Sequence, residues 1–308
     1  MNPRQKGLAF GLGAYLLWGI FPLYFPLLEP TPPVEILANR IFWSFVVLLV
    51  VVLISRQWAW IGPLARDGRR LALLAAAAVT LSLNWGVYIY GVNSDQVVQT
   101  SLGYFINPLV SVMFGVVLLH EQLRRAQWAA VGLGFVAVVV LSFDYGHLPW
   151  IALVLAFSFG TYGLLKKVLD MGSLESLTTE TALLAPVAGG YLIFLLLTGQ
   201  SALAQGDTSM DLLLMSTGAV TAVPLLLFGA AATRIPLSWV GLLQYVAPVL
   251  QFLIGVVVYH EPMPASRWIG FGLVWTALLI LAIDSVAAVR RGRDASELVR
   301  EEGAQEAH

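Results

Sequence analysis

The sequence predicts an all-α polytopic membrane protein in which ten transmembrane helices form two inverted five-helix repeats, with both termini in the cytoplasm. Three observations support this fold class. The composition is strongly apolar, the basic residues between the apolar segments fall on one side, and a long stretch recurs at an offset of 140 residues.

The composition indicates a membrane protein. Hydrophobic residues make up 58% of the chain and charged residues 11%, where soluble domains have about 25% charged residues. A membrane-spanning helix needs about 20 mostly apolar residues, and ten such segments can be marked. They are 7–27, 35–54, 71–91, 98–119, 127–144, 149–166, 178–198, 211–231, 238–259 and 266–285.

The basic residues orient these segments. Cytoplasmic connections of membrane proteins are enriched in Lys and Arg. Of the 17 Lys and Arg residues, all but Arg40 and Arg267 fall at the termini or after the second, fourth, sixth and eighth segments. We therefore predict cytoplasmic termini, and adding or removing one span would destroy this segregation.

An internal repeat organises the chain. Residues 102–121 recur as residues 242–261, and the match continues downstream. Paired Pro, Trp, Gly and Asp residues in one ungapped register indicate a duplication rather than chance matches between apolar segments. Identical pairs include Pro108/Pro248, Gly115/Gly255, His120/His260, Glu121/Glu261, Trp128/Trp268 and Asp144/Asp284.

The repeat defines three regions: a first half at 1–145, a second half at 146–288 and a polar cytoplasmic tail at 289–308. Five predicted spans in each half force the second copy to enter the membrane the other way up. Inverted repeats of this kind are typical of transporters, whose substrate sites lie near the bilayer midplane at the repeat interface.

Pro108 and Pro248 are predicted near the middle of the fourth and ninth spans. A proline within a helix leaves the carbonyl four residues earlier without its usual donor. Those carbonyls belong to Tyr104 and Gln244, and an unpaired carbonyl in hydrocarbon is costly. A packing kink would explain a single proline, but the symmetric pair favours hinges beside a central cavity.

Polar and aromatic residues at span depth concentrate in spans one, three, four, six, eight and nine. We predict that these spans line a pathway, while spans five and ten, which are plainer, are peripheral or form a homodimer contact. The side chains expected to contact a solute are Trp18, Asn84, Tyr88, Tyr104, Asn107, Tyr162 and Gln244. Aromatic walls and amides suit an uncharged or zwitterionic, partly apolar solute, and large anions are disfavoured.

Three ionisable residues lie near the ends of spans, and such residues in membranes are commonly functional. Glu35 and Arg40 are predicted at the outer start of span two, where a weak ion pair and separate partners are both open. Glu180, at the inner start of span seven, is the counterpart of Arg40 in the second half. We predict gating or proton-coupling roles for the three residues.

Other chemistries find little support in the sequence. Cysteine is absent, which excludes thiolate nucleophiles and thiolate metal sites. The two His-Glu pairs are expected on opposite membrane faces, so we interpret them as helix-end residues and predict neither a metal nor a cofactor. A net charge of −1 gives no indication of nucleic-acid binding. An intramembrane enzyme would need a nucleophile or a pair of carboxylates within the spans, and we find none in the sequence. A non-transporting membrane scaffold would have few polar residues within its spans, contrary to spans one, three and four.

Several stretches resemble the EamA-type transporters of the drug/metabolite transporter superfamily, and among them the RarD-type permeases. They include AYLLWGIFPLYF (14–25), NWGVYIYGVNS (84–94), SLGYFINPLVS (101–111) and VPLLLFGAAATRIPLS (223–238). The resemblance implies a permease of the bacterial inner membrane that moves small organic solutes, with export as the expected direction. It names no cargo, and both a proton-coupled exporter and a passive facilitator stay open.

Overall fold

The computed structural model describes residues 3–119, 124–169, 171–232, 234–235 and 243–284, and their regular structure is helical. The predicted tail at 289–308 and the pair His120–Glu121 lie outside the described residues. The helices are α1 Pro3–Gly19, α2 Phe21–Tyr24 followed by a 3-10 turn Phe25–Leu28, α3 Pro33–Ser55, α4 Ile61–Ala65, α5 Gly68–Val92, α6 Val97–Leu119, α7 Arg125–Tyr145, α8 Trp150–Leu169, α9 Ser173–Leu197, α10 Thr208–Ala232, α11 Val246–Leu253 with a π-helical continuation Ile254–Val258, and α12 Ala265–Asp284.

The lengths and apolar character of the helices make this a polytopic membrane protein. Among the described residues, seven helices are long and apolar enough to cross a membrane, and an eighth crossing results if α1 and the bent segment after it count as one span. The shorter apolar helices Trp150–Lys166 and Val246–Val258 fall on the remaining two predicted spans. The count of ten stays a prediction.

Helix starts repeat at the same offset as the sequence. Helices α3, α5 and α7 start at Pro33, Gly68 and Arg125. Helices α9, α10 and α12 start 140 residues later, at 173, 208 and 265. The repetition thus extends from residue identity to the positions at which the chain becomes helical.

The first predicted span is bent rather than straight. The chain turns by 44° between Pro3–Gly19 and Phe21–Leu28. Prolines occupy the first turns of both short segments after the bend, where a missing N–H costs least because those amides have no partner within the helix. Pro22 and Pro26 therefore start new helical turns instead of extending α1.

Pro248 also follows a break in the helix, at residues 244–245. Its place near the middle of the ninth span stays a prediction, and because α11 begins at Val246, Pro248 lies in the first turn of that helix. A proline there does not interrupt an established helix. Pro108, by contrast, lies inside α6, and two further prolines, Pro186 and Pro224, lie inside α9 and α10.

Segments Met1–Ser111 and Pro149–Met263 form one compact unit. Within it, α3 packs against α9 and α10, α5 against α8, and α1 against α10 and α11. Each of these contacts joins a helix of the first predicted half to a helix of the second. The core of this unit is therefore built from both halves of the sequence.

The contact of α3 with α10 depends on a glycine. A Cβ atom at Gly218 would lie 2.4 Å from the carbonyl carbon and oxygen of Trp43. Only a residue without a side chain permits the two backbones to approach this closely. Thr221 follows Gly218 by about one turn, so the close approach brings its side chain up to α3.

Segments Val112–Leu148 and Pro264–His308 form a second compact unit, which contains the end of α6 and the helices α7 and α12. Arg124 at the start of α7 contacts Asp284 at the end of α12, with 2.7 Å between Nη2 and Oδ2. At the other end, the Nε of Arg267 donates to Asp144 Oδ2 at 2.9 Å. The two helices are therefore antiparallel and are joined at both ends by ion pairs.

Candidate substrate site

The bend after α1 places two aromatic rings against a buried arginine. Phe21 and Phe25 are one turn apart, and their ring centres are 5.7 Å from each other. The guanidinium carbon of Arg40 lies 5.4 Å from the centre of each ring. Both phenylalanines are almost completely buried, so this contact is part of the core.

Arg40 itself lies about two turns from the first residue of α3, roughly 10 Å along the helix axis, and is only 3% exposed. Its guanidinium carbon is 4.3 Å from the ring centre of Trp85, within the range of a cation–π interaction. Its Nε donates to the hydroxyl of Thr221 at 2.8 Å. That hydroxyl donates in turn to the carbonyl of Thr217 at 2.8 Å, which directs its lone pairs towards the arginine.

Asn84 is the centre of a polar network that joins three helices. Its Nδ2 donates to the carbonyl of Leu155 and to the hydroxyl of Ser158, both at 3.0 Å. Its Oδ1 accepts from the hydroxyl of Tyr104 at 3.1 Å. Helices α5, α6 and α8 are therefore connected through a single buried amide.

Tyr88 lies between this network and the arginine. Its ring centre is 5.8 Å from those of Phe25 and Tyr104. The Tyr88 hydroxyl is buried and has no hydrogen-bond partner in the described structure. Tyr24, Tyr88 and Tyr104 all lie within electrostatic range of Arg40, so a cation, three phenols and an amide network share one region.

Two further predicted residues lie at the edges of this region. Trp18 packs on the same cluster as Phe21 and Tyr88, and its carbonyl accepts from Gln251 Nε2 at 3.0 Å. Tyr162 instead belongs to a second core cluster, of which Trp85 is also a member. These two residues therefore contact the core of the site without joining the network around Asn84.

Asn107 and Gln244 are not brought into the network. The side chain of Asn107 is half-buried, next to Pro108, and its Oδ1 has no partner among the described residues. Gln244 is half-buried just before α11, beside Tyr245. Their predicted contact with a solute stays a prediction.

The structure resolves the alternatives left open for Glu35. No ion pair joins it to Arg40 in the described part of the chain. Glu35 Oε1 instead accepts from the hydroxyl of Ser201 at 2.9 Å and from the backbone N–H of Ala202 at 2.7 Å. Glu35 and Arg40 therefore have separate partners, and the Glu35 carboxylate binds the connection between α9 and α10.

The end of that connection is fixed by Asp207, which caps α10. Its carboxylate accepts from the hydroxyl and N–H of Ser209 and from the N–H of Met210. The hydrogen bond from the Ser209 hydroxyl and those from the two backbone amides lower the pKa of Asp207 below its ordinary value. The connection that Glu35 contacts is thus anchored to the helix that carries Thr221.

Glu180 is at the centre of a different cluster. Its Oε1 is 2.9 Å from the Nζ of Lys166, and its Oε2 accepts from the hydroxyl of Tyr162 at 3.1 Å. Lys166 also donates to the hydroxyl of Ser176. The predicted counterpart of Arg40 is therefore neutralised by a lysine of the protein itself.

Sequence reasoning missed several residues of the site. Phe21, Phe25 and Ser158 were not selected, and the burial of Arg40 among aromatic rings was not predicted. The prolines that interrupt FPLYFP (21–26) were a usable signal, because they predict a break that turns neighbouring rings inward. Nothing in the sequence pattern around Ser158 distinguishes it from other small residues of an apolar helix.

The repeated His-Glu pair has a structural role where it is described. Both carboxylate oxygens of Glu261 accept from the backbone N–H of Val98 at 3.1 Å. Val98 is in the first turn of α6, where backbone N–H groups lack partners within the helix. Glu261 therefore caps a helix of the other predicted half.

Comparison with known proteins identifies the family. The model of the EamA-like transporter family matches the chain twice, over residues 5–143 and 149–283. A solved structure aligns with a TM-score of 0.58 at 18% identity, covering 91% of this chain and 98% of that one. At this identity the alignment supports the fold alone.

Two curated relatives cover almost the whole chain. Protein RarD of Streptomyces exfoliatus is 56% identical over 292 residues, covering 95% of this chain and 93% of the relative. The uncharacterized transporter YojE of Bacillus subtilis is 44% identical over 286 residues, covering 92% and 95%. A helical membrane protein with a buried polar network between its two sequence halves, and with these relatives, belongs to the EamA-like transporter family as a RarD-type permease.

Proposed function

We propose that this membrane transporter moves small organic solutes by alternating access, with export as its net direction, in the cytoplasmic membrane of a bacterium. In this proposal ten spans form two inverted repeats, and the solute binds between them. The residues assigned to the solute site are Trp18, Asn84, Tyr88, Tyr104, Asn107, Tyr162 and Gln244, with Pro108 and Pro248 as hinges.

The network around Asn84 is the observation that carries the proposal. Polar side chains are costly to place within membrane helices, so those that are present commonly have a structural or functional role. Here Asn84 and Tyr104 of the first half meet Ser158 of the second, beside an arginine and an unpartnered phenol. Such a region at the contact of two repeats is where transporters of repeated architecture bind their substrates.

Two further observations support movement of one half against the other. Helix starts repeat at 140 residues, so both halves supply equivalent elements. Three prolines, Pro108, Pro186 and Pro224, lie inside α6, α9 and α10, where each removes a backbone hydrogen-bond donor. The membrane assignment is supported by bacterial relatives, among them one named as a transporter.

Single cysteines test the pathway without knowledge of the solute, because the chain contains no cysteine. Asn107→Cys and Gln244→Cys in proteoliposomes should react with a membrane-impermeant thiol reagent. An accepted solute, found by thermal-shift screening of uncharged and zwitterionic compounds, should slow the reaction. Phe135→Cys is the control, because Phe135 is a strongly exposed apolar residue of α7 and a thiol facing lipid does not ionise. Equal protection of all three positions would contradict the proposed pathway.

Asn84→Ala tests the site itself. The substitution removes three hydrogen bonds, and we expect the transport rate of accepted solutes to fall at least about tenfold, equivalent to about 1.4 kcal/mol. Thr80→Val is the matched control. It lies one turn away on α5, and its hydroxyl bonds only the carbonyl of Ala76 in the same helix. Transport of every accepted solute at the wild-type rate in Asn84→Ala would reject the assignment.

A passive facilitator is the second candidate. It is favoured by the observation that both predicted coupling carboxylates are engaged in the protein, Glu35 with Ser201 and Ala202 and Glu180 with Lys166. Transport driven by an imposed pH gradient in proteoliposomes distinguishes the two. Transport that ignores the gradient, with Glu35→Gln and Glu180→Gln behaving as wild type, identifies a facilitator.

A further inference from the structure

We infer that Arg40 is the docking point for a carboxylate group of the transported solute, so that the substrate class is small, partly apolar carboxylates, zwitterions included. The inference rests on the proposed transport function and adds the recognition chemistry of the same site. It changes the expected solute from an uncharged or zwitterionic one to one that carries a carboxylate, either as a small anion or as part of a zwitterion.

The first step is charge. A guanidinium is always protonated, and a buried charge is costly unless a counter-charge accompanies it. Every ion pair found among the described residues joins other groups, and none includes Arg40. The nearest acidic residue in sequence, Glu35, is bound to Ser201 and Ala202 instead. The arginine is stabilised by aromatic rings but is not neutralised.

The second step is the geometry of the free donors. Arg has five N–H donors in a planar fork. The Nε of Arg40 is taken by Thr221, and within the described structure the terminal nitrogens Nη1 and Nη2 have no hydrogen bond. Contacts with aromatic rings, such as that with Trp85, do not use up the N–H donors of a guanidinium, which lie along its edge. That edge can hold both oxygens of one carboxylate.

The third step is a second donor in the same region. The hydroxyl of Tyr88 is buried without a partner, and Tyr88 lies within electrostatic range of Arg40. A phenol can donate one hydrogen bond to an anionic oxygen. Two unused donor groups beside a single positive charge suit a ligand group that only accepts hydrogen bonds and carries one negative charge.

Matched acid and amide probes test this inference on the full chain in lipid nanodiscs. Binding of phenylacetate is compared with that of phenylacetamide, and phenylalanine with phenylalaninamide. Within each pair the ring is the same, and a neutral carboxamide replaces the carboxylate. At least one acid should bind about tenfold or more tightly than its amide, as for a charge-assisted hydrogen-bonded pair.

Variants connect the preference to the arginine. Arg40→Gln should bind acid and amide equally, while Arg40→Lys, which keeps the charge but loses the fork, should retain a smaller preference. Arg267→Gln is the matched control, since it also removes a largely buried arginine, but one already paired with Asp144. It should keep the wild-type preference.

The outcomes are separable. No binding of either acid at millimolar concentration, equal binding of acids and amides by the wild type, or an acid preference that survives in Arg40→Gln would overturn the inference. If Arg40→Gln fails to fold, the acid–amide comparison in the wild type and Arg40→Lys decides. Transport of amides without acid preference would leave the proposed transporter standing and reject the inference. Acid preference in binding without any transport would reject the proposed transport function and leave Arg40 as a carboxylate-binding residue.

Discussion

Arg40 and Glu180 occupy equivalent places, each seven residues after the first residue of its helix, α3 and α9. Both are buried, with 3% and 1% exposure. Glu180 has Lys166 at 2.9 Å as an internal counter-ion. Arg40 has three aromatic rings, one hydroxyl and unused donors.

From this difference we infer that a duplicated position has taken on two tasks. A buried charge with an internal partner is a fixed part of the structure, and removing the partner is strongly destabilising. A buried charge without an internal counter-ion can instead bind the opposite charge of a ligand. The comparison therefore predicts that changes at the Glu180 cluster mainly affect stability, and changes around Arg40 mainly affect ligand binding.

Lys166→Met should give the largest effect on stability. It leaves Glu180 buried without its cation, and we expect the free energy of unfolding to fall by about 3 kcal/mol, measured by denaturant titration in detergent micelles. The double variant Lys166→Met/Glu180→Gln is the control, because it removes both charges, and it should recover much of the loss. A single variant as stable as the wild type would show that the ion pair does not hold this cluster together.

Gly218→Ala should come next. The added Cβ meets the backbone of Trp43 at 2.4 Å, and overpacking of this kind costs about 1–3 kcal/mol. Separation of α10 from α3 should also take Thr221 away from Arg40 and reduce acid binding. Gly190→Ala in α9 is the control, because nothing lies within 4 Å of its Cβ position. Equal stability of the two variants would contradict the tight α3–α10 contact.

Thr221→Val should have a smaller effect on stability, with a selective effect on binding. The change keeps the shape of the side chain but leaves the Nε–H of Arg40 without its acceptor, at a cost of about 1–2 kcal/mol. Loss of that hydrogen bond also loosens the guanidinium. We expect the acid-over-amide preference to fall while amide binding is unchanged, as measured by calorimetry. An unchanged acid affinity would separate Thr221 from the site.

Arg40→Met should change stability least. No carboxylate is left behind, and exchange of a buried charged group for an apolar side chain of similar length is often neutral or stabilising. We expect the free energy of unfolding to stay within about 1 kcal/mol of the wild type, while the preference for acid probes is lost. A destabilisation as large as that of Lys166→Met would mean that Arg40 has a structural partner and would remove the contrast with Glu180.

The sequence predicted the helices well because span hydropathy is a local property. Segments expected at 35–54, 71–91 and 127–144 are the helices Pro33–Ser55, Gly68–Val92 and Arg125–Tyr145. Departures occurred at prolines. The first span bends after Gly19 and α11 begins just before Pro248, because hydropathy does not register where a backbone donor is missing.

Part of the candidate site could be predicted from polar residues within apolar segments. Asn84, Tyr88 and Tyr104 were selected in this way and are neighbours in the structure, while their contact with a solute stays a prediction. The rings around Arg40 were not predictable, because Phe21 and Phe25 read like lipid-facing residues of an apolar segment. Their inward orientation depends on a bend and on contacts between segments far apart in sequence.

The antiparallel pair of α7 and α12 has a consequence for biosynthesis. The bond between Arg267 and Asp144 joins residues 123 positions apart. At about 5–20 residues per second of synthesis, α7 emerges roughly 6–25 seconds before its partner. During that interval both end charges of α7, Arg124 and Asp144, lack the ion pairs they form in the finished protein. The two ion pairs can therefore form only after α12 has been synthesised.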